Sequence, residues 1–298
     1  MLRLIFAAAL FLAPWPAAAT PAAALAPLLA AEDPLPKGAL IVDLRPAKAF
    51  AEGHIPGAIN APYAAWRGPA ANPGRVPTEA ALETLLTELG LTPATPVVLI
   101  HAGQGVSDFG AAARVYWTLK SAGFTSLAIL NGGFAAWQDE GLTPARGASA
   151  SMPAPAPVDI LWSDAWTMLI EDVAAVVRGD SAAVLLDARP RAFFEGTAKH
   201  PAAVSAGTLP GAVNLLHAAW FGAETAHLAP DPDKLAEIRA LAAAAGGAPL
   251  VSFCNTGHWA ATNWFVASEL AGIADVRLFP ESMVGWTLAG FAAVAAGN

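Results

Sequence analysis

"ALIVDLRPAKAFAEGHIPGAIN", residues 39–60, begins with a continuous apolar run, turns at a charged pair and continues into a helix-forming segment. Such a run is typical of a strand buried on both faces, as in parallel sheets covered by helices. The same order returns as "AVLLDAR" (183–189) followed by "GTLPGAVNL" (207–215). This repetition within one chain predicts two copies of a single α/β unit.

The agreement between the copies extends to other segments. "TPVVLIH" (95–101) corresponds to "APLVSFC" (248–254), and "LAILNGGFAAW" (127–137) corresponds to "VRLFPESMVGW" (276–286). Helical patterns separate the strands, as in "TEAALETLLTELG" (78–90) with its closing glycine. The predicted fold class is therefore α/β, with two domains that each contain a parallel sheet with helices on both faces.

A segment rich in Pro, Ala and Ser, "ARGASASMPAPAPVD", separates the two copies. It predicts a linker over residues 148–160, between a first domain at 20–147 and a second domain at 161–298. The second domain opens with "WSDAWTMLIEDV" (162–173), for which we expect a helix capped by Ser163.

Composition and the N-terminal residues limit the possible functions. The chain has 298 residues, is 55% hydrophobic and has a formal net charge of −8. It has no cluster of Lys and Arg, so we expect no nucleic-acid-binding surface. Residues 1–19 have the charged, apolar and small-residue order of a secretory signal, which predicts cleavage after Ala19 and a periplasmic or otherwise exported protein. The apolar run is too short to span a bilayer, so we expect no stable membrane insertion after signal removal.

Export makes the single cysteine, Cys254, informative, because one thiol cannot form a disulfide within its own chain. It lies after an apolar strand and before a helix, in the loop Cys254-Asn255-Thr256-Gly257-His258-Trp259. Backbone amides of a tight loop and the start of a helix stabilise a thiolate, and Gly257 permits a backbone angle that other residues resist. The context predicts a reactive nucleophile rather than an inert buried thiol.

Taken together, these motifs resemble the rhodanese family. The first copy carries the Asp-x-Arg and His-Ile-Pro-Gly-Ala pair and a Gly-Gly-Phe-x-x-Trp ending, and the second carries "DARPRAFFEG", "GTLPGAVN" and "VSFCNTGHWA". The resemblance implies a tandem-domain sulfurtransferase of the thiosulfate or 3-mercaptopyruvate type. In that family the active cysteine, here Cys254, accepts a sulfane sulfur as a persulfide and passes it to cyanide or a thiol. A catalytically silent first domain is also implied, and the chemistry requires no metal or organic cofactor.

The resemblance further implies that Arg189 helps to hold an anionic sulfur donor, and Arg191 is a weaker candidate for the same role. A structural ion pair with Asp187 is the alternative for Arg189. For His258 two interpretations stay open, a positive charge that attracts the donor near neutral pH or a solvent-facing loop histidine. Asn255 and Thr256 are expected to act through their backbone amides.

Other residues are expected to have structural roles. Trp259, Trp264 and Trp286 are predicted to belong to the core or to a cleft wall. In the first copy His101 stands at the position of Cys254 and is predicted to be a surface or linker-facing residue. Three further residues of that copy are predicted to maintain the fold: Asp43, Arg45 and His54.

Departures from the family pattern leave the sulfur donor open. The loop "CNTGHWA" lacks the Arg or Lys of thiosulfate sulfurtransferases and differs from the small uncharged loop of the mercaptopyruvate type. In addition, Thr208 replaces the histidine of "HIPGA". A persulfide carrier without turnover, or a binding module acting with a partner protein, is therefore the alternative function. A Cys-x5-Arg phosphatase is disfavoured, because Ala260 stands six residues after Cys254.

Overall fold

The computed structural model describes residues 25–149, 157–222 and 225–295. The predicted signal at 1–19, its cleavage site after Ala19 and most of the predicted linker lie outside these ranges. Within them, no helix is long and apolar enough to cross a membrane.

The first domain contains a five-stranded parallel sheet. Its strands are β1 (Leu28–Leu29), β2 (Leu40–Asp43), β3 (Ile59–Asn60), β4 (Val97–Ile100) and β5 (Leu127–Leu130). They lie in the order β1-β5-β4-β2-β3, and β4 and β5 are buried along their whole length. Its helices are α1 (Ala47–Glu52), α2 (Glu79–Leu89), α3 (Phe109–Ser121) and α4 (Gly133–Asp139), with a 3₁₀ turn at Tyr63–Trp66.

The second domain repeats this arrangement with four parallel strands. They are β6 (Val184–Asp187), β7 (Val213–Asn214), β8 (Leu250–Phe253) and β9 (Val276–Leu278), in the order β7-β6-β8-β9. Its helices are α5 (Ile170–Arg178), α6 (Arg191–Phe194), α7 (Pro232–Ala244), α8 (Trp259–Phe265) and α9 (Ser282–Leu288). A π-helical turn, Val266–Leu270, extends α8, and 3₁₀ turns lie at Asp164–Trp166 and His217–Trp220. The predicted α/β class with two parallel sheets is confirmed.

The Asp-x-Arg motif closes the same turn in both domains. Arg45 donates through Nε and Nη2 to the Asp43 carboxylate, and Arg189 donates in the same way to Asp187. Both pairs are buried. Because the pair recurs in the domain without a cysteine, its position there reflects the fold rather than the chemistry of Cys254. The fold-maintaining role predicted for Asp43 and Arg45 agrees with this geometry.

The side chain packed beside this turn differs between the domains, but its position is retained. His54 is buried, stacks on Phe50 with ring centroids 3.8 Å apart, and lies with Nδ1 2.9 Å from the Phe50 carbonyl oxygen. In the second domain Thr208 is also buried, and its hydroxyl donates to Asp187 at 2.7 Å. The difference therefore preserves a buried, hydrogen-bonded side chain beside the turn that both domains share.

Two predicted helices differ in their bounds. The segment 162–173 forms a 3₁₀ turn before α5 begins at Ile170, although Ser163 Oγ does accept a hydrogen bond from the Ala165 amide. The loop after Cys254 was predicted to include Trp259, but helix α8 already begins at that residue, so the polar loop is short. Helix α7 was not predicted, since Ile238 is its one fully buried side chain and no apolar period is visible.

The two domains share a continuous core in which α3 packs along α8. Phe109 and Tyr116 of α3 meet Phe265 of α8 edge to face, with ring centroids 5.4 and 5.1 Å apart. Because α8 begins directly after the cysteine loop, this packing holds the loop against the first domain.

Candidate active site

Cys254 follows β8 at the carboxyl edge of the second sheet. Its side chain is only 1% exposed, yet it lines a cavity of about 250 Å³ between the domains. The predicted loop residues Asn255, Thr256, His258 and Trp259 also line this cavity, and Gly257 lies in the loop behind it. The first domain contributes Tyr63, Arg67 and Ser107, and His200 completes the lining. The structure therefore places the cysteine loop at an interface that both domains build.

Ser282 anchors both ends of the cysteine loop. Its Oγ accepts hydrogen bonds from the amides of Cys254 and Gly257, at 3.0 and 3.1 Å, and donates to the Phe279 carbonyl at 2.9 Å. Among the described non-glycine residues Ser282 alone has a positive φ, 52°. This left-handed conformation costs roughly 1–2 kcal/mol, so the surrounding bonds must hold it in place. The sequence held one signal of this conformation that was missed: in the alignment of the two copies, Ser282 stands opposite Gly133, the second glycine of the Gly132-Gly133 pair.

The amides of the loop are arranged differently from the prediction. Those of Cys254 and Gly257 are directed to Ser282, and no N–H group of the described residues makes a hydrogen bond to the Cys254 sulfur. The amides of Asn255, Thr256 and His258 have no acceptor within the described ranges. Two of the predicted loop donors are thus used by Ser282, the amides of Asn255, Thr256 and His258 stay without an acceptor in the described ranges, and two arginines add fixed positive charge to the site.

The first of these charges is Arg114, which lies buried beneath the loop. It donates to the carbonyls of Gly257, Pro280 and Gly74, at 3.4, 3.3 and 2.8 Å. Burial, followed by repulsion from Arg67, lowers the pKa of Arg114 to about 9, so the group stays protonated at neutral pH. Gly257 has φ 69°, and a Cβ atom there would lie 2.4 Å from the Pro280 carbonyl oxygen, so any other residue would strain the backbone and force it to shift.

The second charge is Arg67, which follows the Tyr63–Trp66 turn of the first domain. Its Nη1 donates to the Tyr63 hydroxyl at 2.6 Å and its Nη2 donates to the Thr256 carbonyl at 2.7 Å. The sequence prediction considered cations only within the cysteine loop and did not identify Arg67. The signal that identifies it is three-dimensional, because residue 67 lies far from residue 254 along the chain.

His258 is neutral rather than charged. Burial is the main cause that lowers its pKa to about 3, with a further contribution from the positive charge of Arg67. Its Nε2 lies 2.8 Å from the Ser107 carbonyl, so that nitrogen carries the proton, and Nδ1 accepts from the Tyr63 hydroxyl at 3.1 Å. The interpretation of His258 as a cation near neutral pH is therefore wrong, because desolvation at the domain interface and the charge of Arg67 both oppose protonation of this half-buried imidazole.

The structure brings neither candidate arginine of the second domain to the cavity. Arg189 is buried against Asp187, and its Nη1 lies 3.3 Å from Asn255 Oδ1. Arg191 is 84% exposed and pairs with Glu195. The ion pair considered as the alternative for Arg189 is observed, and its link to Asn255 steadies the start of the cysteine loop.

His101 occupies the position in the first domain that Cys254 occupies in the second. The Phe134 amide donates to the His101 carbonyl at 2.8 Å, as the Met283 amide donates to the Cys254 carbonyl at 3.1 Å. His101 is buried, so its predicted surface position is wrong. Burial also lowers the pKa of His101 to about 4.

The three tryptophans lie where they were predicted. Trp264 and Trp286 are buried in the core, and Trp259 forms part of the cavity wall. Trp259 stacks on His217 with centroids 4.8 Å apart and donates to Ser107 Oγ at 2.8 Å, which ties the second domain to the first.

Two parallel-sheet domains, with a single cysteine at the carboxyl edge of the second sheet, define a tandem-domain α/β protein whose cysteine faces the domain interface. Comparison with known proteins identifies the class. The chain belongs to the rhodanese family, since the model of the rhodanese-like domain matches residues 24–140 and again 170–289.

Curated relatives are similar over most of the chain. A thiosulfate sulfurtransferase of Pseudomonas aeruginosa is 32% identical over 83% of this chain and 87% of its own length. A 3-mercaptopyruvate sulfurtransferase of Rattus norvegicus is 29% identical over 66% of this chain and 64% of its own length. These homologues support rhodanese-type sulfur transfer and include both donor types.

Solved structures share the fold at lower identity. EanB is similar with a TM-score of 0.71 and 21% identity, over 88% of this chain and 66% of that chain. The Tum1 protein of Saccharomyces cerevisiae has a TM-score of 0.68 and 19% identity, over 88% of this chain and 95% of that chain. At these identities the likeness concerns the fold alone.

Proposed function

We propose that this protein is a sulfurtransferase that moves a sulfane sulfur from a small anionic donor, through a persulfide on Cys254, to cyanide or a thiol. The observation that carries the proposal is the position of Cys254, at the edge of a cavity that contains Arg67 and no Asp or Glu among its described lining residues. The sulfurtransferase relatives support the same reaction class.

In the first step the Cys254 thiolate attacks the outer sulfur of the donor. With thiosulfate, the bond between the two donor sulfurs breaks, and sulfite leaves with the electron pair. With 3-mercaptopyruvate, the carbon–sulfur bond breaks, and the resulting enolate takes up the proton of the former thiol to give pyruvate. Both donors leave the same enzyme persulfide.

In the second step cyanide or a thiolate attacks the outer sulfur of the persulfide. The sulfur–sulfur bond to Cys254 breaks, thiocyanate or a new persulfide leaves, and the Cys254 thiolate is regenerated. The thiolate and the persulfide have the same charge, which lies one atom further out in the persulfide. The fixed positive charges of Arg67 and Arg114 attract both states, since opposite charges in a partly buried site interact strongly.

The direct test is incubation with thiosulfate or 3-mercaptopyruvate plus cyanide, followed by colorimetric measurement of thiocyanate. We expect many turnovers per protein molecule. The intact mass after donor alone should increase by one sulfur, and the Cys254→Ala variant should show neither change. Absence of thiocyanate with both donors would contradict the proposal.

The alternative, a persulfide carrier without turnover, predicts the mass increase but a single equivalent of thiocyanate. Its main support was the lack of a cation in the cysteine loop. Arg67 weakens that support, because the first domain supplies a guanidinium bonded to the loop.

Export is a further part of the proposal, supported by the composition of residues 1–19. Its test is expression in a bacterium, followed by fractionation and mass measurement of the mature chain. A mature protein that begins after Ala19 is expected in the periplasmic fraction, and an unprocessed chain in the cytoplasm would argue against export.

A further inference from the structure

Arg67 is an unneutralised cation at the Cys254 cavity. Within the described residues its guanidinium forms no ion pair with a carboxylate. Two of its five N–H groups are used, one for the Tyr63 hydroxyl and one for the Thr256 carbonyl. The remaining three are available to a ligand, and two bonds to the protein already fix the plane of the group.

Apart from the thiolate of Cys254 itself, the groups around Arg67 supply no negative charge. His258 is neutral, and Tyr63 is neutral as well, because burial raises its pKa. His200, also at the cavity, has its pKa lowered first by burial and next by the charge of Arg67. A cavity lined by a fixed positive charge and neutral hydrogen-bonding groups suits a small anion.

We propose that Arg67 of the first domain binds the oxyanion end of the sulfur donor and thereby orients its sulfane sulfur toward Cys254. The recognised chemistry is a sulfonate-type or carboxylate group on a molecule small enough for a cavity of about 250 Å³. Two parallel N–H donors of a guanidinium match two oxygens of either group. This inference rests on the proposed function and adds that the first domain takes part in substrate binding.

The hydrogen bond from Arg67 to the Thr256 carbonyl links donor binding to the position of the cysteine loop. One guanidinium contacts both the cysteine loop and the donor, so the loop position and the donor position are set by the same group. The Arg67→Lys substitution would keep the charge but lose the planar fork, and Arg67→Gln would lose both.

The experiment measures binding without turnover. In the Cys254→Ala background, thiosulfate and, separately, pyruvate are titrated by isothermal titration calorimetry. The same titrations are repeated after adding Arg67→Gln, Arg67→Lys or, as matched control, Arg178→Gln. Arg178 is an exposed cation paired with Asp180, away from the cavity.

We expect Arg67→Gln to raise the Kd of the anion that binds by about 10- to 100-fold, the range for a lost hydrogen bond to a charged group. Arg67→Lys should fall between Arg67→Gln and the parent, and Arg178→Gln should stay within about twofold. A preference for thiosulfate or for pyruvate distinguishes the two donor types.

A kinetic measurement separates binding from a purely structural role. With Cys254 present, Arg67→Gln should raise KM for the donor more than it lowers kcat, whereas a merely displaced loop would lower kcat at unchanged KM. Thermal unfolding confirms that each variant is folded.

An Arg67→Gln variant that binds the anion within about twofold of its parent would overturn the inference, and so would a kcat effect alone. If wild-type protein forms no thiocyanate but Cys254→Ala binds thiosulfate through Arg67, the proposed function fails and the anion site stands. If turnover is normal and Arg67→Gln has no effect, the proposed function stands and the assignment of Arg67 as the anion site fails.

Discussion

The loop after β4 and the loop after β8 are the most instructive pair of regions in the molecule. Each loop begins directly after a buried central strand, at residue 101 or residue 254. The carbonyl of that first residue accepts a hydrogen bond from the first turn of a later helix, α4 in the first domain and α9 in the second. The first loop begins with a buried histidine and the second with the cysteine. The same backbone frame can therefore hold either a structural side chain or a nucleophile.

The first residue of the later helix, Gly133 in α4 and Ser282 in α9, shows how the two loops differ. Gly133 has φ 62° and leaves no room for a side chain, because a Cβ atom would lie 2.3 Å from the His101 carbonyl oxygen. At the matching position Ser282 keeps a similar φ of 52°, and its hydroxyl holds the Cys254 and Gly257 amides. The left-handed conformation that Gly133 adopts without strain in one domain is thus adopted at a cost by Ser282 in the other, where the serine hydroxyl anchors the cysteine loop.

The largest effect expected from this comparison concerns the cysteine itself. Cys254→Ala should lower thiocyanate formation by at least about 10³-fold, as loss of a covalent nucleophile does. Adding His101→Cys should not restore activity, because Arg67 bonds to the loop of the second domain and Gly133 offers no hydroxyl. Steady-state thiocyanate assays of the single and double variants measure this. Recovery of a tenth of wild-type activity in the double variant would show that the two loops are interchangeable.

A smaller effect is expected when Ser282 is replaced by glycine, the residue that stands at the matching position of the first domain. Ser282→Gly removes two hydrogen bonds to loop amides and should lower kcat about 10- to 100-fold. Ser282→Ala also keeps the unfavourable positive φ, so its free energy of unfolding should lie about 1 kcal/mol below that of Ser282→Gly. Sulfur-transfer kinetics and urea unfolding provide the measurements. Wild-type kcat in Ser282→Gly would exclude an anchoring role.

The smallest effect concerns pH, because each loop contains a neutral histidine, buried in the case of His101 and half-buried in the case of His258. His101 has a pKa of about 4 in the folded state against an ordinary value of 6.5, so below pH 6.5 the unfolded chain binds more protons. Stability is full above pH 6.5 and decreases as pH falls, by about 1 kcal/mol between pH 7.5 and 5.5. His258 acts in the same direction.

Urea unfolding at several pH values should therefore show a weaker acid dependence in His101→Asn than in wild type. Because the pKa of His258 is lowered to about 3, its imidazole is already neutral at pH 6–7, and donor binding should not weaken over that range through loss of a His258 proton. If wild type and His101→Asn lose stability equally as the pH falls, His101 is protonated in the folded state and this prediction fails. For His258 the contradicting result would be a drop of kcat/KM between about pH 6 and 7 in wild type that is absent from His258→Asn.

Local patterns along the chain were enough to predict much of this fold. The apolar runs of β2, β4, β6 and β8, together with their recurrence, predicted two parallel sheets, and Gly257 was expected to adopt an unusual backbone angle, which its φ of 69° confirms. Helix α7 escaped notice because most of its side chains face solvent, and solvent exposure imposes no apolar period.

The sequence by itself identified one cysteine between a strand and a helix, because that placement depends on neighbours within a few residues. Packing of α3 on α8 determined which groups surround it: Arg67, Tyr63 and Ser107 come from the other domain. Packing also removed the charge from His258, since a pKa depends on burial and on nearby charges that no local pattern records. Chain order carries periodicity and turn chemistry, whereas distances between remote side chains arise only when the two domains close on each other.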